Sequence, residues 1–323
     1  MKLFTASLLL LACSGEEALT GHPGAVFRVA FSPDGSLLAA GGSAPDVTVW
    51  TLADRKVRHT LKGGGNHGVL AFRPDGKFLA TGSTDGKVRV WDLADGTLKA
   101  AFDHVPARLP TQYVYGLAYS PDGALLASSG GTGSVIRIWN PATARLERSF
   151  GTYGSPTFCV AFSPDGSFLL AGSEDGKLRI HDFAAGRPVL EVNAHPGGVR
   201  ALAFSPDGKT LATAGVDKAA RLWDYADGKL RERKVLAGHS DIVLSVAFSR
   251  DGQELATASP DGSVRTWDAA RGAERKVVLR GRSGVRSAAY GANGEKAFGV
   301  WQFGRSGPNV LLQGARVVTE DPH

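Results

Sequence analysis

The chain has 323 residues, is 43% hydrophobic and carries 42 glycines and 16 prolines: enough apolar material for a large core, and a turn density that excludes a helical bundle. Its net charge of +6 comes without a run of five or six basic residues, which argues against a nucleic-acid-binding arm. Two cysteines exclude a disulfide framework, and beyond residue 13 no segment is long and apolar enough to span a bilayer as a helix.

The first element is N-terminal. Met1-Lys2 forms a minimal positive region, Leu3 to Leu11 an apolar one, and Leu10-Leu11-Ala12-Cys13 follows. This stretch resembles a bacterial lipoprotein signal. The resemblance implies that residues 1–12 are a signal peptide, that Cys13 is lipidated, and that residues 13–16 are a short tether. It places the protein at a bacterial cell envelope, facing the periplasm or cell surface, with the membrane reached through the lipid anchor only. The alternative is a cytoplasmic protein with a ragged N-terminus. Cys159, inside an apolar strand pattern, reads as a small core residue.

From residue 17 to about 316 the chain is a repeat. Ser-Pro-Asp-Gly, or a near copy, places its Asp at 34, 75, 122, 165, 207 and 251, with Asn293 as a decayed seventh. The gaps are 41, 47, 43, 42, 44 and 42 residues. An aromatic stands two positions before each Pro site: Phe31, Phe72, Tyr119, Phe162, Phe204, Phe248 and Tyr290. Nineteen residues later, or twenty in the third unit, comes Trp50, Trp91, Trp139, His181, Trp223 or Trp267. Each unit predicts four short strands. In the sixth these are Val243 to Phe248, Leu255 to Ala258, Val264 to Trp267 and Glu274 to Leu279. Ser-Pro-Asp-Gly suits a type I turn, and the Asp261-Gly262 type of dipeptide suits a two-residue hairpin. Strands apolar on both faces require each small sheet to be covered on both sides, which radial stacking provides.

The blocks Gly238-His239, Val246-Ala247-Phe248-Ser249, Leu255-Ala256-Thr257, Asp261-Gly262-Ser263-Val264-Arg265 and Trp267-Asp268 resemble a WD repeat. The WD40 resemblance implies an all-β, seven-bladed propeller of four-stranded antiparallel blades. It further implies His–Ser/Thr–Asp–Trp tetrads that link strands without being catalytic. These carry over fully as His195, Thr213, Asp217 and Trp223, and as His239, Thr257, Asp261 and Trp267. The second unit keeps Thr81, Asp85 and Trp91 but has Gly63 in the His place; the fourth keeps Asp175, with Tyr153 for His and His181 for Trp. The first keeps His22 and Trp50 with Asp46 displaced, and the third has neither His nor Asp. The 302 residues from His22 onward, at ~43 per repeat, make about seven blades. The last unit holds three strands, so Glu17 to Thr20 is expected to supply its fourth and close the ring. Residues 317–323 are left as a tail, and the closed ring is expected to be monomeric.

No motif argues for catalysis. Residues 63–68 match a dinucleotide fingerprint formally but precede a strand instead of a helix. Gly208-Lys209-Thr210 ends like a P-loop but belongs to a repeat turn. The short convergent spacings that metal ligands need are absent, His59, His67, His104, His181 and His323 being scattered. No cofactor or metal and no enzyme activity are expected. Arg89, Arg137, Arg179, Arg221 and Arg265 each sit two residues before the third-strand aromatic, and are expected to cover apolar surface with their stems.

Function is therefore expected on the loops that differ between units. The insertion from Asp103 to Tyr115 brings Arg108, Gln112, Tyr113 and Tyr115 to the face where the first strands begin, called the top. Phe27, Tyr153, Phe158, Arg200, Leu244 and Arg286 occupy equivalent places on other units. These ten residues are the expected contact surface for a protein or peptide, Tyr and Arg being favoured hot-spot types. A scaffold is the leading reading; the alternatives are a cytoplasmic module of a signalling assembly and, third, a propeller hydrolase.

Overall fold

The computed structural model describes residues 16–104, 113–131, 135–151, 154–280, 283–292, 294–301 and 310–313. Cys13, Arg108, Gln112, Tyr153, Asn293 and the 317–323 tail lie outside them.

The described residues form seven antiparallel sheets of four strands each, an all-β seven-bladed propeller. In each, the innermost strand comes first: Val26–Phe31, His67–Phe72, Val114–Tyr119, Thr157–Phe162, Val199–Phe204, Ser245–Phe248 and Gly284–Tyr290 in blades one to seven. Three further strands follow outward in sequence order, except in blade seven. There the outermost strand is Glu16–Leu19, paired antiparallel with Val310–Gln313 in the register Glu16 to Gln313 and Leu19 to Val310. Glu16, expected in the tether, is the first residue of this strand, since its backbone already meets Gln313.

The repeat's turn works through its side chains. In blade one the Ser32 hydroxyl donates to Asp34 Oδ1 at 2.5 Å and accepts the Leu37 N–H at 2.9 Å, while Asp34 Oδ1 accepts the Ser36 N–H at 3.0 Å. Gly35 closes the turn at φ +74, and a Cβ there would lie 2.6 Å from that of Ala292 in blade seven. The turn that ends one blade's inner strand therefore also sets its spacing from the neighbour.

Burial follows radius. The second strand of blade one, Leu37–Gly42, is buried at every position, whereas the fourth, Val57–Lys62, is mostly exposed. Seven apolar clusters fill the ring, each shared by two adjacent blades. One joins Val69, Val90 and Phe102 of blade two to Leu117 and Trp139 of blade three; another joins Leu19, Val310 and Leu312 of blade seven to Val26, Leu38 and Trp50 of blade one. The third-strand tryptophan always faces the preceding blade. In blade four His181 takes that place, and Phe150, Phe162 and Phe183 fill the space around it, with the Phe150 and His181 ring centroids 5.3 Å apart.

The second-strand hydroxyl decides where the polar chains form. In blade five His195 Nδ1 lies 2.8 Å from Asp217 and Nε2 2.8 Å from Thr213 Oγ1, which accepts the Trp223 indole N–H at 2.9 Å. Blade six repeats this with His239, Asp261, Thr257 and Trp267 at 2.7–2.9 Å. Blade two lacks the His but keeps the Trp91 to Thr81 bond at 3.0 Å. Blade three requires a correction, because it has its histidine. His104 Nδ1 stands 2.7 Å from Ser128 Oγ, which also accepts from the Trp139 indole at 2.7 Å. The insertion separates His104 from its strand in sequence while leaving it in place in space. In blade one Ala40 stands where blades two, three, five and six have Ser or Thr, so Trp50 donates instead to the Thr20 carbonyl and His22 bonds Thr48.

The recurrent arginines also differ from expectation. Arg89, Arg179 and Arg221 each pair at 2.6 Å with the hairpin aspartate four residues earlier: Asp85, Asp175 and Asp217. Arg265 pairs with Glu274 at 2.8 Å, and Arg137 donates to the His104 carbonyl. Their heads hold the hairpins and outer strands together; covering apolar surface is not their main contact.

Candidate functional site

The first strands start at one end of the central channel, beside the second-to-third-strand hairpins. Six of the seven carry a β-bulge at this end, with one residue skipped in the pairing to the second strand. The skipped residues are Phe27, Gly68, Tyr115, Phe158, Arg200 and Arg286. A bulge leaves its extra residue unpaired and re-aims its side chain. Here the re-aimed residues and Leu244 of blade six line one cavity of about 340 Å³, together with Arg28, Asn66, Thr84, Tyr113 and Val114.

Of the ten residues expected on this face, the structure brings seven to the cavity: Phe27, Tyr113, Tyr115, Phe158, Arg200, Leu244 and Arg286. Arg108, Gln112 and Tyr153 fall outside the described residues. Sequence reasoning missed Arg28, Asn66, Gly68, Thr84 and Val114, of which Arg28 alone carries a charge. Strand alternation turns Arg28 away from a channel that Phe27 faces, but the bulge breaks the alternation so that both neighbours line the cavity.

The rim is an ordered stack on one side. Tyr113 and Tyr115 have ring centroids 5.8 Å apart, Tyr115 meets Phe158 edge-on at 5.2 Å, and the Arg200 guanidinium lies 3.9 Å over the Phe158 ring. Across the mouth the Arg286 guanidinium lies 4.6 Å over Phe27. Such cation–π contacts fix the plane of each guanidinium while leaving its edge donors available. Between Phe27 and Tyr115 the ring is interrupted at Gly68, where a Cβ would meet nothing within 4 Å. The mouth thus has a notch at blade two. Two inner-strand serines bind neighbouring blades together: Ser287, just after the blade-seven bulge, accepts the Val29 N–H through its Oγ at 3.2 Å, and Ser245, on the bulge-free inner strand of blade six, donates its Oγ–H to the Ala288 carbonyl at 3.3 Å.

The electrostatics are one-sided. Among the described residues no aspartate or glutamate lines the cavity, whereas Arg28, Arg200 and Arg286 all do. Burial pulls the pKa of each of the three downward, and the proximity of Arg286 adds to the effect at Arg28. Glu174 is the carboxylate whose charge reaches Arg200 and Tyr115 from a distance. Cys159, on the inner strand of blade four, is a free buried thiol whose pKa burial pushes up to about 12. A thiol so protonated is a poor nucleophile.

Comparison with known proteins agrees with this architecture. A family model described as the IFT122 first beta-propeller matches residues 25–235, and one described as the WD domain, G-beta repeat, matches residues 230–268. An uncharacterized WD repeat-containing protein of Synechocystis sp. is 30% identical over 158 residues, covering 49% of this chain and 44% of that protein. Superkiller complex protein 8 of Dictyostelium discoideum is 36% identical over 74 residues, 23% of this chain and 24% of that one. The WD repeat-containing protein 91 homolog of the same organism is 26% identical over 191 residues, 58% and 24% respectively. The chain thus spans less than half the length of these relatives.

Proposed function

The chain belongs to the WD-repeat β-propeller family that the IFT122 first beta-propeller model describes, and from that premise we propose that it is a non-catalytic scaffold whose top face holds a protein or peptide. Propellers of this family are generally protein-interaction scaffolds. The observation that carries the proposal is the stack of Tyr113, Tyr115, Phe158 and Arg200 at the mouth of the channel. Aromatic and arginine side chains of this kind offer large contact area at modest entropic cost. Tyr113, 41% exposed, presents the outer end of this stack to solvent, where a partner can reach it.

The test compares partner recovery by purified wild type and by a Tyr113→Ala/Tyr115→Ala variant. The variant is expected to retain its melting temperature within a few degrees and to recover at least fivefold less of any specific partner. Equal recovery removes this surface from the proposal.

The N-terminal residues extend the proposal to location. Cys13 follows an apolar run ending in Ala12, and on this reading it carries a lipid that fixes the scaffold at a bacterial cell envelope. The strand beginning at Glu16 then keeps the propeller within roughly 10 Å of the anchor at the extended reach per residue, with the top face directed away from the membrane. Radiolabelled palmitate is expected to mark the wild type and not Cys13→Ser; an unlabelled wild type ends this part of the proposal.

A further inference from the structure

We infer that the channel mouth is an anion-binding pocket that takes an acidic peptide, with an Asp or Glu carboxylate seated among Arg28, Arg200 and Arg286 and an adjacent apolar residue against Phe27, Tyr115 and Phe158. This inference rests on the reading of the top face as the interaction surface and specifies the chemistry of its partner.

The contrast with the other arginines is the starting point. Arg89, Arg179, Arg221 and Arg265 each meet a carboxylate within the protein at 2.6–2.8 Å. At Arg28 and Arg200 the same residue type is used without that compensation. Neither forms an ion pair among the described residues, and the Nε atoms of both are buried without a hydrogen-bond partner. Both side chains are part-buried; a guanidinium that loses water at Nε with no anion in contact is held at a cost, and such a group in a cleft marks a place where an outside anion can supply the missing charge. Two such groups in one concave site, with the charge of Arg286 on the same lining, focus a positive potential into it.

Geometry favours a carboxylate on a peptide. Stacking on Phe158 and Phe27 holds the Arg200 and Arg286 planes, which leaves the forked edge donors to bind a carboxylate in bidentate fashion. The same aromatic rings supply apolar contact beside the charge, which a small inorganic anion could not use. A volume of about 340 Å³ accommodates roughly two or three amino-acid residues, at the small end of ordinary ligand pockets. The notch at Gly68, flanked by Asn66 and Thr84, gives the rest of an extended peptide a way out across blade two.

The experiment pans a phage-displayed random dodecapeptide library on the purified full chain. Recovered peptides, synthesised with blocked termini, are then titrated against wild type and variants. The expected result is an Asp or Glu next to an aromatic or aliphatic residue in the recovered set. Changing that acid to its amide, or Arg200→Gln in the protein, should each weaken binding tenfold or more, and the two losses should not add. Arg200→Lys, which keeps the charge and loses the fork, should fall between. Raising salt from 50 to 500 mM should weaken wild type more than Arg200→Gln, in which Arg28 and Arg286 alone keep the charge. Arg28→Met, which removes a part-buried charge with no carboxylate in contact, should raise the melting temperature by about 2 °C or more, separating a binding role from a folding one. Peptides without an acid, or equal binding to Arg200→Gln, overturn the acidic pocket while leaving the top-face reading intact if Tyr115→Ala still weakens them. Binding indifferent to both the arginine and Tyr115→Ala overturns both, and an empty selection overturns the acidic pocket, with the partner-recovery comparison then deciding the scaffold reading by itself.

Discussion

Removing residues 14–20 is expected to lower the melting temperature of the protein by about 10 °C or more, at a scale of roughly 2 °C per kcal/mol for a chain of this length. The strand Glu16–Leu19 is the outer strand of blade seven, and through it the beginning of the chain closes the ring. Leu19 is 4% exposed, in the cluster that joins Val310 and Leu312 to Trp50 and Val26. Losing its buried side chain costs about 2–3 kcal/mol. The deletion also removes the Thr20 carbonyl that accepts the Trp50 indole N–H at 2.8 Å, leaving a buried donor unsatisfied at about 1–3 kcal/mol. It further exposes the Val310–Gln313 strand as a free edge, so the truncated protein should also aggregate more readily. Leu19→Asp should move the melting point in the same direction by a smaller amount. An unchanged melting temperature in the deletion would show that this closure contributes nothing.

Mild acid should destabilise the fold through its buried histidines. His104 and His181 are 0% and 1% exposed, and burial lowers the pKa of each to about 4, with Arg137 and Arg179 respectively adding to the effect. The unfolded chain protonates these rings near 6.5, the folded one only near 4. In that interval the unfolded state binds more protons, so acid favours it. Stability is therefore full above about pH 6.5 and falls as the pH drops toward 4, by up to about 3 kcal/mol for each of the two groups. His195 and His239 are lowered in the same direction. From about pH 5 downward a separate loss begins, as carboxylates held down by hydrogen bonds and ion pairs become protonated, Glu254 and Asp261, the latter at about 2, among them. Thermal melts at pH 7.5 and 4.5 should differ by roughly 10 °C, and His104→Gln should flatten the slope. A melting temperature level across that range would mean the buried rings titrate normally.

Three features mark where reading the chain linearly fell short. The polar chain of blade three looked incomplete because counting back from Val114 met the insertion; counting forward from the preceding blade would have reached His104. The five recurrent arginines looked like surface cover because a side chain two residues from a buried tryptophan has apolar neighbours. The partner aspartates of three of them lie only four residues earlier, but the hairpin between them brings each pair to 2.6 Å only once both strands are formed. Arg28 was missed because period-two alternation assigns adjacent residues to opposite faces, and the bulge cancels that rule at the one place where it matters for the cavity.

The number of blades, the turn at the base of each, the closure by an N-terminal strand and seven of the positions that reach the channel mouth are legible in the linear chain. All of these are set by local chemistry repeated at a fixed interval: a Ser-Pro-Asp-Gly turn, an Asp-Gly hairpin, an aromatic on a constant beat. Which of those positions share a cavity, and what charge it holds, depends on the folded ring. Phe27 and Arg286 lie near opposite ends of the chain yet stack at 4.6 Å, because the ring brings the first and last blades together. The imbalance of three arginines with no lining acid among the described residues is likewise a property of the closed ring, since each blade contributes to the mouth and the sum exists only when all seven meet.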